Sequence, residues 1–334
     1  MQRPAGGNLP TMTAPVNASS GLRILNRAAL ESLGLTWPEI TDAVEDAFEQ
    51  KARGQVQNPP KPKVSSRAHS FAHAMPAYLG GSDALGLKWV TGYESNKDEG
   101  LPYIYGTVIL NDPATGRPIA LMDGGWITEM RTPAVTGVTM RHVPARGQRL
   151  AIIGCGAQGR RHLEVALGEH PEIEEVRLYD TRSEAARTLA EQAGGRTTVI
   201  ADSPVDCVDG ADLVVTTITV ALDPKLDCRN TAEDALLLPV DYDDAMATSA
   251  FHEAAFYAVD DLGQYGSVAG TKYFFDFPEP DSHLAAIVTG EVAAPTEGRR
   301  MILNMGLAMD DVALAALVHE RALELGVGQI VAFP

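Results

Sequence analysis

Cysteine, long apolar runs and positive charge are all scarce in this chain. Cys155, Cys207 and Cys228 are the three thiols among 334 residues. They are odd in number and lack metal-type spacing, which excludes a disulfide framework and predicts reduced thiols in a cytoplasmic protein. No apolar run approaches the ~18 residues of a membrane span. Lysine and arginine total 27 against 44 acids, a formal charge of −17. Nucleic acid and anionic membrane surfaces would be repelled, so neither is an expected partner. No Walker sequence, Gly-x-Ser-x-Gly or His/Cys/Asp metal cluster occurs, and no metal is expected. Residues 1–21 are rich in Pro, Gly, Asn, Thr and Ser but lack the basic and apolar parts of a signal peptide, and read as a disordered tail.

What is present begins with Leu150-Ala-Ile-Ile153, an apolar run entering Gly154-x-Gly156-x-x-Gly159. A helical stretch follows, then a second strand ending in Asp180. The first glycine permits a tight turn, the second lets backbone approach a pyrophosphate, and the third lets helix pack on strand. The helix N-terminus then offers unpaired N–H groups to phosphate. Asp180 lies roughly 20 residues further on, where an acid accepts hydrogen bonds from the adenosine ribose. Its carboxylate would repel a 2′-phosphate, so NAD(H) is the expected cofactor and NADP(H) the less favoured one. Arg182 is the residue that would offset this preference. The candidate cofactor contacts are Gly154, Gly156, Ala157, Gln158, Gly159, Asp180, Thr181, Arg182 and Thr217.

This unit opens near residue 147, so another structure precedes it. Thr36-Trp-Pro-Glu39 reads as a capping box opening a helix that buries Ile40, Val44, Ala47 and Phe48 and ends near Gly54. A proline-rich connector, Asn58 to Lys63, leads to strands predicted at 84–92 and 103–111 and a helix from Thr128. Beyond Asp180, a helix at 183–193 and strands at 197–201, 212–218, 235–240 and 256–260 predict a parallel sheet. The apolar helix Met305–Leu325 needs a partner and is expected to fold back on the N-terminal portion. The predicted fold class is α/β: a Rossmann dinucleotide-binding domain over 144–302 and a discontinuous second domain from 22–143 and 303–334.

Chemistry opposite a nicotinamide requires groups that hold a substrate. Lys88 stands inside the apolar strand Leu85-Gly-Leu-Lys-Trp-Val, and a desolvated ammonium demands an anion or acceptor. A substrate carboxylate would serve, as would a structural acid. The fork of Arg131 can clamp a carboxylate bidentately, or pair with an acid such as Glu129. Lys61 and Lys63 in the connector are further cationic candidates. On the acid side, Asp241, Asp243 and Asp244 follow a predicted strand at its carboxyl end, where α/β proteins bind ligands. They can supply an acid/base or grip an amine, or cap a helix. His69, His73 and His162 are weaker candidates.

At this point the chain resembles the ornithine cyclodeaminase/mu-crystallin family, over about residues 22–328. The resemblance rests on Met75-Pro-Ala-Tyr78, Leu87-Lys-Trp-Val90, Asp112-Pro-Ala-Thr-Gly116, Met122-Asp-Gly124 and Thr128-Glu-Met-Arg-Thr132. It continues through Ile153-Gly-Cys-Gly-Ala-Gln158, Gly210-Ala-Asp-Leu213, Gly290-Glu-Val292 and Met305-Gly-Leu-Ala-Met-Asp-Asp311. It implies a homodimer whose discontinuous α+β domain binds substrate and dimerises. It also implies that Lys88 and Arg131 hold a substrate carboxylate and that an acid best matched by Asp243 handles the amine and protons. Lys61 stands where the family commonly has an arginine, and Leu238-Pro-Val-Asp-Tyr-Asp replaces a familiar Asn-Ala-Val-Gly segment. The expected activity is that of an NAD(H)-dependent amino-acid dehydrogenase or imine (ketimine) reductase acting on a small-molecule amino acid or imine. The alternatives are a cyclodeaminase using NAD catalytically and a non-catalytic NAD(P)H- or small-ligand-binding protein of mu-crystallin type.

Overall fold

A computed structural model describes residues 21–271 and 273–333. Apart from Gly21, the tail expected at 1–21 lies outside the described residues. The described residues form sixteen strands: β1 (Leu22–Leu25), β2 (Val56–Gln57), β3 (Lys63–Val64), β4 (Ser70–Leu79), β5 (Ala84–Tyr93), β6 (Ile104–Asn111), β7 (Pro118–Asp123), β8 (Arg149–Ile153), β9 (Glu175–Tyr179), β10 (Thr197–Ile200), β11 (Leu213–Thr216), β12 (Leu236–Pro239), β13 (Phe256–Val259), β14 (Ser282–His283), β15 (Arg300–Leu303) and β16 (Gln329–Val331).

They build two sheets. The first runs β16-β1-β7-β6-β5-β4-β2, with β3 also on β4, and draws on both ends of the chain. The second runs β10-β9-β8-β11-β12-β15-β13-β14, and every pairing in it is parallel. Its central strands β8, β11, β12, β13 and β15 are buried almost throughout. That is the pattern of a parallel sheet covered on both faces, and it explains their continuous apolar runs.

The first sheet alternates instead. Along β5, Ala84, Gly86, Lys88, Val90 and Gly92 are buried, whereas Leu85, Leu87, Trp89, Thr91 and Tyr93 are not. The inner face packs against three helices, Trp37–Ala52, Gly124–His142 and Ala308–Leu325. The first has the expected capping box, with Glu39 Oε2 accepting from Thr36 N at 2.8 Å, although Trp37 precedes Pro38 as the first helical residue.

Two helix boundaries differ from expectation, and several strands lie outside the predicted set. The second helix starts at Gly124, because the Asp123 carboxylate accepts from Trp126 N at 2.9 Å, and it continues through Pro133. Burial of most of its length outweighs the ~3 kcal/mol penalty of an internal proline. The last helix begins at Ala308 rather than Met305, since Gly306 is left-handed at φ 79° and Asp310 Oδ2 accepts from Leu307 N. The strands β1, β4, β7, β15 and β16 had no clear periodic signature. They are short or carry Ala, Pro, His and Arg among their apolar residues, so packing rather than propensity defines them.

Candidate active site

The nucleotide half of the site is made largely of backbone. Strand β8 delivers Gly154 at φ 96°, where an added Cβ would meet Thr217 O at 2.8 Å. A Cβ on Gly159 would meet Gly154 O at 2.0 Å, whereas nothing lies within 4 Å of one on Gly156. The turn is therefore closed where helix meets strand and open where a pyrophosphate approaches. The helix Ala157–Glu169 has Gly156 as its N-cap and no side-chain cap, which leaves its first N–H groups available to phosphate. Thr217 Oγ1 donates to Gly154 O at 2.8 Å and braces the turn from β11.

Asp180 follows β9 directly, with Oδ2 accepting from Cys155 N at 2.9 Å and Oδ1 from Arg182 N at 2.8 Å. These bonds hold its carboxylate at the rim of the turn, beside Thr181. The Arg182 guanidinium, largely exposed, stands 3.6 Å from Asp180. An open Gly156, an uncapped helix and a fixed acid suit a dinucleotide. Gln158 Nε2 donates to Thr128 O, and its buried Oε1 has no partner. That side chain ties the nucleotide turn to a cleft of about 1140 Å³ lined by both halves of the molecule.

In that cleft lie Lys61, Lys88 and Arg131. Lys88 is 1% exposed, on the inner face of β5. Its Nζ donates to Asp311 Oδ1 at 2.7 Å and Thr128 Oγ1 at 3.2 Å. Arg131 Nε donates to the same Asp311 oxygen at 3.0 Å, and its NH1 is 3.9 Å from Asp310. One carboxylate thus bridges two buried cations. Burial pushes Lys88 down to about 7 against the opposing pull of Asp311, and burial raises Asp310 to about 7 despite Arg131. The Arg131 fork lies against Gly306, where a Cβ would come 2.6 Å from NH1. At φ 79°, glycine fits there without strain or displacement of the fork.

Lys61 Nζ donates to the carbonyls of Met305 and Gly306 at 2.9 and 3.1 Å and sits 5.6 Å from the Tyr242 ring centre. The same loop is held from beneath by Asp260, whose Oδ2 accepts from Met305 N and Gly306 N at 2.7 Å each. His73 also lines the cleft, and burial with the nearby Lys61 charge lowers it to about 4, so it is neutral.

The acids expected opposite these cations stand elsewhere. Asp243 is not among the cleft-lining residues; its Oδ2 accepts from Phe274 N at 3.3 Å and faces Lys225 at 4.0 Å. Asp241 is buried beneath, accepting from Thr216 Oγ1 and Ile218 N, and burial raises it to about 7. Neither Asp241 nor Asp244 lines the cleft; Tyr242, at φ 62°, presents its ring there instead. His162 is buried behind the cleft, between Gln158 O and Thr136 Oγ1, while His69 lies at its rim.

Sequence reasoning gave no role to Asp311, Asp310 or Asp260. A signal existed: a lysine and an arginine in apolar elements require a buried acid, and Asp310-Asp311 opens the longest apolar helix near the C-terminus.

The chain is similar to known proteins over nearly its whole length. The model of the ornithine cyclodeaminase/mu-crystallin family matches residues 23–326. The nodulation efficiency protein NfeD of Rhizobium meliloti is 30% identical over 96% of this chain and 100% of its own length. A Thermococcus litoralis Δ1-pyrroline-2-carboxylate reductase, solved with NADH and L-proline, superposes with a TM-score of 0.81 at 29% identity, over 93% of this chain and 100% of that one. An archaeal alanine dehydrogenase dimer with bound NAD gives 0.79 at 29% identity, over 94% and 99%. With the two-sheet architecture and the paired cations in place, the chain belongs to the ornithine cyclodeaminase/mu-crystallin family.

Proposed function

We propose that this protein is an NAD(H)-dependent oxidoreductase acting at the α-carbon of an amino acid or its imine. The observation that carries the reading is the pair of buried cations Lys88 and Arg131, bridged by Asp311 and lining one cleft with Gln158 of the nucleotide turn. Lys61, Lys88 and Arg131 line the cleft, whereas Asp310 and Asp311 do not, so the cleft presents positive charge to a substrate carboxylate. Arg131 clamps that carboxylate with the edge of its fork, Lys88 supplies a second donor, and Lys61 reinforces them from the Met305–Gly306 loop. Held there, the α-carbon is fixed in position, and orientation of this kind supplies much of a rate enhancement.

The Gly154–Gly159 turn, Thr217 and Asp180 would hold NAD(H), which would supply hydride exchange when bound. Lys88 at about 7 holds its proton weakly enough to pass it to the substrate nitrogen, as a general acid near operating pH must. NfeD's name carries no reaction, whereas the two solved neighbours act on a cyclic imino acid and on alanine by name.

The protein is further proposed to act as a homodimer. The outer face of the first sheet carries Leu87, Trp89, Tyr105, Ile109 and Leu121, half-buried or exposed in one chain, with Trp89 at 43% and Tyr105 at 48%. A face of this kind suits a second copy.

A panel of amino acids with NAD, and of imines with NADH, tests the activity by NADH absorbance and ammonia release. Net NADH change with at least one substrate is expected. Ammonia release without net NADH change would instead identify a cyclodeaminase, and binding without turnover a ligand-binding protein.

A further inference from the structure

Of the buried side-chain atoms left without a hydrogen-bond partner among the described residues, two belong to residues that line the cleft: Gln158 Oε1 and Asn304 Oδ1. Stranding a buried acceptor is costly, so each calls for a donor. Gln158 belongs to the nucleotide turn. Asn304 does not: it directly follows β15 and is 3% exposed. It stands two residues before Gly306, against which the Arg131 fork packs.

A chain of hydrogen bonds behind Asn304 settles which end of its amide is free. His162 Nδ1 lies 2.8 Å from Gln158 O, a carbonyl that can only accept, so Nδ1 carries a proton. Burial lowers His162 to about 4, so the ring is neutral and Nε2 is an acceptor. The Thr136 hydroxyl, 3.1 Å away, therefore gives its proton to Nε2. It can then only accept from Asn304, whose Nδ2 stands 3.4 Å off. Thr136 and His162 are fully buried, which shields this order from water. The amide nitrogen is committed to the back wall, and Oδ1 is left for the cleft as an acceptor.

We infer that Asn304 Oδ1 holds the substrate nitrogen, and that the substrate is a primary amino acid or its unsubstituted imine. The inference rests on reading Lys88 and Arg131 as the carboxylate site. Nitrogen and carboxylate share one carbon in an α-amino acid, and two residues of chain span at most about 7 Å. A carboxylate on Arg131 thus brings the nitrogen within reach of Asn304. Lys88 exchanges one proton with that nitrogen, which takes one N–H direction. A primary amine or a C=NH2+ group keeps a second N–H for Asn304, whereas a cyclic iminium has only one. A 2-oxo acid has none and sets one lone pair against another, so the same oxygen rejects it.

The intact enzyme is assayed with NADH and pyruvate, 2-oxoglutarate or phenylpyruvate, each with and without ammonium, and with Δ1-pyrroline-2-carboxylate. With at least one of the three oxo acids, ammonium should raise NADH oxidation about tenfold or more. Asn304→Leu, similar in shape but without an acceptor, should cut that ratio by about tenfold. Its NADH affinity, read by fluorescence titration, should not change. Asn304→Asp also loses the bond to Thr136 but keeps an acceptor, so the ratio should survive to within roughly a few-fold. A ratio lost alike in both variants would reduce Asn304 to a structural amide and overturn the assignment. So would equal losses with and without ammonium in Asn304→Leu, or weaker NADH binding at an unchanged ratio, which would give Oδ1 to the cofactor. Turnover confined to the cyclic imine would overturn the primary nitrogen and leave the oxidoreductase reading intact. No turnover with these compounds or the wider panel of amino acids and imines would overturn that reading instead.

Discussion

The two walls of the cleft recognise their ligands by opposite means. The nucleotide wall uses absence: no Cβ at Gly154, Gly156 or Gly159, no side-chain cap on the following helix, and one fixed carboxylate at Asp180. The substrate wall uses presence, in the form of ionised side chains taken out of water and packed against one another. Lys88, Arg131, Asp310 and Asp311 are all buried, and they come from β5 and two different helices. A backbone cradle stores little electrostatic energy and needs few neighbours. A buried charge cluster stores a great deal, so each member depends on the others.

The sharpest way to break that comparison is to remove the bridge. Asp311→Ala leaves Lys88 and Arg131 without their shared carboxylate, and stranding a buried charge costs ~3–5 kcal/mol. Denaturant unfolding should show a loss of this size, whereas Gly156→Ala, with open space around the new Cβ, should show almost none. Equal stability of the two variants would mean that solvent reaches the cluster.

The next largest effect is on turnover. Lys88→Ala leaves Asp311 still paired with Arg131, so the fold should survive. Removing a donor aimed at reacting charge costs roughly 10²–10³ in rate, and a comparable fall in kcat/KM is expected with NADH affinity unchanged. Gly156→Ala should do the reverse, weakening NADH while sparing the carboxylate site.

How much of this was legible beforehand follows from the same contrast. The glycine turn, β8, β9 and Asp180 are contiguous, and each residue type has a local mechanical reason, so the nucleotide wall could be read directly. Lys88 and Arg131 were visible as cations in apolar surroundings, but nothing local identified Asp311, distant from both in sequence. The acidic run Asp241–Asp244 misled by its position after β12. The positive φ at Tyr242 turns the ring inward and leaves Asp243 on Phe274 N, a reversal that backbone conformation decides and composition does not. Strand β4 was missed because His73, Met75 and Pro76 break a simple alternation, although it carries part of the cleft wall.

A pH profile separates the walls further. Burial lowers Lys88 to about 7 and raises Asp310 to about 7. As pH rises through this range, Lys88 loses its positive charge and Asp310 gains a negative one. Both changes remove attraction for a carboxylate, so KM for the substrate should climb above about pH 7. Asp310→Asn removes one of the two and should make the rise shallower. NADH affinity should stay flat over the same interval; in the glycine turn, burial pushes the Cys155 thiol up to about 12.

The smallest expected effect concerns the one charge on the nucleotide wall. Asp180 meets a ribose hydroxyl or repels a 2′-phosphate, and its carboxylate is oriented by Cys155 N and Arg182 N. Asp180→Ser keeps a hydrogen-bonding group and removes the repulsion, while Arg182 loses the acid 3.6 Å away and becomes available to a phosphate. The ratio of kcat/KM for NADH over NADPH should fall by about tenfold, corresponding to ~1.4 kcal/mol. Because the substrate wall is built from other elements, KM for the amino acid or imine should not move. A parallel rise in substrate KM would show that the two walls are coupled through Gln158, the one side chain of the glycine turn that lines the cleft.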